Sequence, residues 1–228
     1  MISASQFAHS HSSFWQSCFP ALENYVRLVN SGAYERVFDE MSWEVEPERS
    51  ALISEVAYCL ANPASKGSIA QALEAAKKRL SGLPGVTKNH ADLTAKEEEA
   101  AKELAHRTLA TARTASKSKK TMTFDPEFQG YGAVFKANGD IRANETLIEL
   151  KAVDRGFRGT DFRQLMTYCL LNSFSRLEPI EYICVINARR GTYYLAKLSE
   201  FVFDTSATTF PDIQLRFASA VGAGGTSR

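Results

Sequence analysis

TLIELKAV, running from Thr146 to Val153, has the two-residue period of a β-strand. Side chains alternate across a strand. Ile148, Leu150 and Ala152 therefore share one face, suited to a core, and Glu149 and Lys151 share the other. A carboxylate and an ammonium two residues apart on a rigid strand suit phosphodiester chemistry. The carboxylate helps to hold a divalent cation, and the ammonium orients water or stabilises the charge that develops on phosphorus.

Working outward, a hard cation such as Mg²⁺ is usually held by one or two carboxylates together with waters and substrate phosphate. Asp140 supplies the second carboxylate. It follows Asn138-Gly139, a strong hairpin signal, and begins the strand Asp140–Ala143 that returns beside TLIELKAV. A strand over Tyr131–Lys136 precedes that turn. Downstream, Thr160–Arg176 has a helical period and carries Gln164 and Tyr168 on one face, four residues apart. Glu181–Asn187 and Thr192–Leu198 are strands joined at Arg189-Arg190-Gly191, and Ser199–Asp204 starts a short helix. Strand, strand, strand, helix, strand, strand predicts a mixed sheet with a helix on one face, an α/β arrangement.

Taken singly, these residues have bland readings: a solvated Glu149–Lys151 pair, Asp140 as a turn residue, Tyr168 as a half-buried aromatic. The ordered set is more specific. Asp140, then Glu149-x-Lys151, then Gln164-x-x-x-Tyr168 resembles the PD-(D/E)XK nuclease superfamily, and within it the RecB-like branch with a Q-x-x-x-Y motif, which includes some CRISPR-associated nucleases. The resemblance covers about residues 124–200. It implies a restriction-endonuclease-like αβββαβ core, Mg²⁺ with Mn²⁺ as substitute, and hydrolysis of DNA phosphodiesters. It also implies metal ligation by Asp140 and Glu149, a catalytic Lys151, and support from Gln164 and Tyr168. Gly139 stands where the family often has proline. The branch also uses an upstream helical Glu or His, for which Glu103, His106 and Glu127 are the candidates. Family analogy further suggests a subunit of a bacterial defence or repair system. The alternative is an inactive nuclease fold that binds DNA or a partner inside a larger complex.

Arg155, Arg158 and Arg163 follow the motif strand closely. They form a phosphate-contacting patch, or else a solvated loop paired to Asp154 and Asp161. Arg189, Arg190 and Lys197 are a second candidate patch. Local basic surface matters because the 228-residue chain has a net charge of only +1, which excludes a bulk electrostatic case for nucleic-acid binding.

The first half is helical in pattern: Phe14–Asn30 with Pro20 opening a helix, Tyr34–Trp43, Pro47–Leu60, Ser68–Leu80 before Gly82, Pro84 and Gly85, and Thr94–Ala115. This gives a helical region over 1–115, a nuclease core over 116–205 with the largely solvated helix 94–115 packing on it, and a tail over 206–228. The helical region is a candidate docking surface for other protein subunits. His9 and His11 fall in a flexible end, His90 at a helix start, and Trp15 and Trp43 in the core. The four cysteines lack zinc-like spacing; Cys169 and Cys184 sit in apolar runs and read as buried thiols, and the compartment is taken as reducing. The first twenty residues lack Lys and Arg, and no apolar run approaches a membrane span. The expectation is a cytoplasmic protein with no membrane partner.

Overall fold

The computed structural model describes residues 1–64, 67–81, 92–116 and 122–222. His90, the turn at Gly82, Pro84 and Gly85, the basic link beyond Ser116 and the last six residues lie outside this set. In chain order the elements are α1 (Ala4–Ser10), α2 (Ser12–Cys18), α3 (Leu22–Asn30), β1 (Glu35–Arg36), a 3₁₀ turn (Pro47–Arg49), α4 (Ser50–Ala61), α5 (Ile69–Leu80) and α6 (Ala95–Ala115). There follow β2 (Met122–Phe124), β3 (Glu127–Phe128), β4 (Ala137–Asn138), β5 (Ile141–Ala143), β6 (Thr146–Lys151), α7 (Gly159–Ser173), β7 (Tyr182–Asn187), β8 (Thr192–Lys197), α8 (Leu198–Ser206) and α9 (Phe210–Gly222).

The fold is α/β. Six strands form a mixed sheet in the order β1-β8-β7-β6-β5-β2, and β3 pairs with β4 in a small separate ribbon. β6 and β7 run parallel, and the other pairings are antiparallel. The parallel pair needs a crossover, which α7 provides. Parallel strands are normally buried on both faces, and these are. Leu147 and Val185 join a core under α1, α2, α3, α7, α8 and α9. Ile148, Cys184 and Ile186 join another under α4 and α6. The sheet is thus covered on both sides rather than on one. On the second side, α6 presents Ala101, Leu104, Ala105, Thr108, Ala112 and Ala115 inward, small side chains that let it lie close, while Lys102, His106 and Arg113 face solvent.

Most expected elements are present, and five differ. The helix expected over Tyr34–Trp43 is instead β1, whose Glu35 pairs with Tyr193 of β8. Gly191, at φ 64°, allows this: a Cβ there would lie 2.2 Å from the Phe38 carbonyl oxygen. The strand over Tyr131–Lys136 is a tight turn closed by a Tyr131–Val134 bridge. Its Gly132, at φ 57°, packs against the Val221 carbonyl. Asn138-Gly139 is not a hairpin turn, because β4 pairs with β3 while β5 pairs with β2 and β6. The hairpin turn before β6 falls at Asn144, at φ 54°. The single helix over Phe14–Asn30 is two, α2 and α3, interrupted around Pro20.

The fifth difference is at the two ends. The region holding His9 and His11 is helical, opened by a capping box between Ser3 and Gln6. His9 bonds the Ser5 carbonyl, and the His11 ring lies against Phe7. The stretch after residue 206 is not a tail but α9, with Ile213, Phe217 and Val221 buried. Phe7, Phe14 and Phe217 meet edge-on or tilted, with Phe7 and Phe217 centroids 5.3 Å apart. The helical region therefore shares its core with the second half of the chain. All four cysteines are buried, and among the described residues no helix is long and apolar enough to cross a membrane.

Because Phe217 is fully buried, Phe217→Ala should destabilise the protein by about 3–5 kcal/mol in urea unfolding. A loss below about 1 kcal/mol would show that α9 is dispensable.

Candidate active site

The site lies on the α7 side of β6. Leu147, Glu149 and Lys151 alternate onto that side, and Ile148 turns to the other. Ile141 of β5 stands opposite Ile148. Continuing that register by one residue sets Asp140 opposite Glu149. Two carboxylates facing each other across an antiparallel pair repel, so the surroundings decide whether they can stay.

Asp140 is held by backbone. Its Oδ2 accepts the Leu150 N–H at 2.7 Å, a donor beyond the last β5 pairing. Its carbonyl oxygen accepts the Tyr58 hydroxyl of α4 at 2.7 Å and the Asp125 N–H at 3.0 Å. Glu149 is 1% exposed, and its Oε1 accepts a 2.6 Å charge-assisted bond from Lys151 Nζ. Its Oε2 is buried without a hydrogen-bond partner among the described residues. Lys151 also reaches Gln164 Oε1 at 3.4 Å and lies 3.8 Å from Asp161. Gln164 in turn donates to the Tyr168 hydroxyl at 2.9 Å. Tyr168 stacks on Phe128 of β3, which fixes its ring. Asp140, Glu149, Lys151, Gln164 and Tyr168 therefore form one connected group.

The electrostatics follow from burial. Loss of water, and then the Asp140 charge, push the Glu149 carboxyl up to about 8 against the pull of Lys151. Burial also raises Asp140, against the Leu150 N–H and Lys151. Burial works against the Lys151 charge, but Glu149 and the two aspartates outweigh it and raise its pKa. Burial and the neighbouring carboxylates raise the Tyr168 phenol, keeping it neutral.

The three expected arginines separate. Arg155 makes a two-pronged pair with Asp161, at 2.8 and 3.0 Å, and Arg163 pairs with Glu23 at 2.6 Å. Arg158 is exposed; its backbone N–H donates to the Asp161 carboxylate, and its carbonyl accepts the Asp161 N–H at 3.0 Å. In the second patch, Arg189 lies over the Trp43 ring and near Asp154, and Lys197 pairs with Glu200. The three upstream candidates are all engaged away from Asp140 and Glu149. Glu103 pairs with Arg107, His106 packs on Phe38, and Glu127 pairs with Lys136.

Other residues shape the site from far along the chain. Glu55 of α4 adds negative potential at Asp140 and is held by Arg79 of α5 at 2.7 Å. Arg79 also pairs with Asp125 at 2.8 Å and lies over the Tyr58 ring. Asn187, opposite Lys151 in the β6–β7 register, ties down the following loop through the Val153 and Arg155 carbonyls. No local pattern marks Glu55, Tyr58 or Arg79, because their meaning comes from α4 and α5 folding back onto the β5 end.

The donor set fits a hard divalent cation: buried carboxylate oxygens, one of them unsatisfied, beside a fixed ammonium. Among the described residues no three His, Cys, Asp or Glu side chains form a ready-made metal cage, so waters and phosphate would complete the shell. No family model matches the chain, and neither a curated protein nor a solved structure does.

The raised Glu149 value carries a pH prediction. Between its ordinary value near 4.5 and about 8, the folded state binds more protons than the unfolded state, so stability falls as pH rises through that window. Glu149→Gln should flatten this slope and, at pH 8 in EDTA, raise Tm by about 5 °C. Scanning calorimetry from pH 5 to 8 tests it; identical slopes in the two proteins would refute the burial argument.

Proposed function

We propose that this chain is a metal-dependent nuclease that hydrolyses DNA phosphodiester bonds, built on a restriction-endonuclease-like core. The observation that carries the proposal is the Asp140–Glu149 cross-strand pair, with Glu149 Oε2 unsatisfied and Lys151 beside it. The element order supports it as well: helix α6, the antiparallel strands β2, β5 and β6, the crossover α7 and the parallel strand β7. Asp140 and Glu149 would hold Mg²⁺ or Mn²⁺, and Glu55 adds negative potential at Asp140. The bound cation would supply Lewis-acid stabilisation of the scissile phosphate.

The protein's own groups do the rest. Lys151 keeps its proton, so it directs an attacking water by hydrogen bonding and stabilises negative charge in the transition state. Gln164 and Tyr168 fix the ammonium in place. Asp161 balances both Lys151 and Arg155, coupling the site to the loop that carries Arg158. Arg158 would contact the DNA backbone, with Arg155 and Arg163 holding the loop and helix that present it. A second reading, a DNA-binding subunit that does not cut, draws on the absence of a three-carboxylate cage among the described residues. In either case we propose that the protein acts beside other subunits, as in defence or repair systems.

The test is cleavage of linear and supercoiled DNA with Mg²⁺, Mn²⁺ or EDTA. Metal-dependent cutting should fall at least about 100-fold in Lys151→Ala and in Asp140→Asn, with the fold checked by circular dichroism. Full activity in Lys151→Ala would reject the site. DNA binding without cutting in any metal would favour the second reading.

A further inference from the structure

Between α4 and α5, on the other side of the β5 end from α7, lies a cavity of about 620 Å³. Cys59, Leu60, Ala72 and Ala75 give it an apolar lining, and Lys78 and Arg79 stand at its edge. The Arg79 guanidinium lies 4.6 Å from the centre of the Tyr58 ring and is held there by Glu55 and Asp125. Lys78 is exposed, and no carboxylate pairs with it among the described residues; its neighbour Lys77 takes Glu74 instead. The cavity shares a wall with the catalytic group, because the Tyr58 that lines it also donates its hydroxyl to the Asp140 carbonyl.

We propose that this cavity receives one unstacked nucleobase of the substrate strand beyond the β5 end that carries Asp140, with Lys78 and the outer edge of Arg79 meeting the adjoining phosphate. The inference rests on the nuclease reading and deepens it by naming the substrate class. A base offers flat π-faces and few charges, matching an apolar floor with a guanidinium plate. A phosphate offers charge, matching the two cations at the edge. The volume falls within the usual range of small-molecule sites and has room for a base with its sugar. A base can enter only after leaving its stack, so the preferred substrate is single-stranded DNA or a frayed duplex end.

The test is fluorescence anisotropy of the full-length protein with a labelled single strand of about 12 nucleotides, in EDTA at fixed salt. Ala75→Trp fills the cavity and Lys78→Glu reverses the edge charge. Both positions are exposed, so the fold should survive, as thermal melts would verify. Each variant should bind about tenfold more weakly, and an abasic strand should bind the wild type with a similar loss. Unchanged affinity in Ala75→Trp, an abasic strand bound as well as a normal one, tighter binding of blunt duplex, or no strand binding by the wild type would each overturn the proposal. Cleavage with Mg²⁺, measured alongside, separates the two ideas. Cutting that persists with unchanged binding in Ala75→Trp rejects the cavity and keeps the nuclease. Binding lost in Ala75→Trp, with no cutting by any preparation, supports the cavity and rejects the nuclease.

Discussion

A carboxylate buried opposite a second carboxylate must be balanced by something, and Glu149 is 1% exposed on β6, with Asp140 one register step beyond the last β5 pair. The balance is local and directional. Lys151 neutralises one oxygen of Glu149, the Leu150 N–H stabilises one oxygen of Asp140, and Tyr58 and Asp125 fix the Asp140 backbone. One oxygen of Glu149 is left without a partner among the described residues. An unpaired buried polar atom costs on the order of 1–3 kcal/mol, and a chain selected only for stability would place an apolar side chain there. Local unfavourable features of this kind concentrate where a ligand is meant to complete them.

The rest of the architecture holds this arrangement in place. Both faces of β6 and β7 are covered, so the strand carrying Glu149 and Lys151 has little freedom to twist away. The crossover α7 delivers Gln164, Tyr168 and Asp161 to one side of it. On the other side of the β5 end, α4 and α5 bring Glu55, Tyr58 and Arg79 against Asp140 and Asp125. Lys151 and Arg155 both depend on Asp161, so a change in the loop after β6 is felt at the ammonium.

The sequence was most informative where periodicity and chemistry coincided. TLIELKAV shows both its strand period and its paired charges, and Gln164 and Tyr168 show their shared helical face, so those four residues were legible together with Asp140. The ends were legible in principle. Ser3 and Gln6 have capping-box spacing, and Ile213, Phe217 and Val221 recur at helical intervals. Short local stretches misled where tertiary contacts decided the outcome. Asn138-Gly139 has hairpin composition, yet its strand pairs elsewhere, and Glu35–Arg36 becomes a strand only because Gly191 lets it approach β8. Glu55 and Arg79 could not be found from sequence, since nothing near them in the chain differs from an ordinary solvated helix face.

The aromatic cluster of Phe7, Phe14, Trp15 and Phe217 has a consequence for how the molecule comes into being. Three of its rings are synthesised near the start and the fourth near the end of the described chain. As the chain is made, α1 waits for α7 and α2 waits for α9, the helices they pack against. Their apolar faces stay open until those partners are made, which exposes sticky surface to other molecules. The α7 side of the sheet, which also bears Asp140, Glu149 and Lys151, is therefore complete only once α9 packs against it.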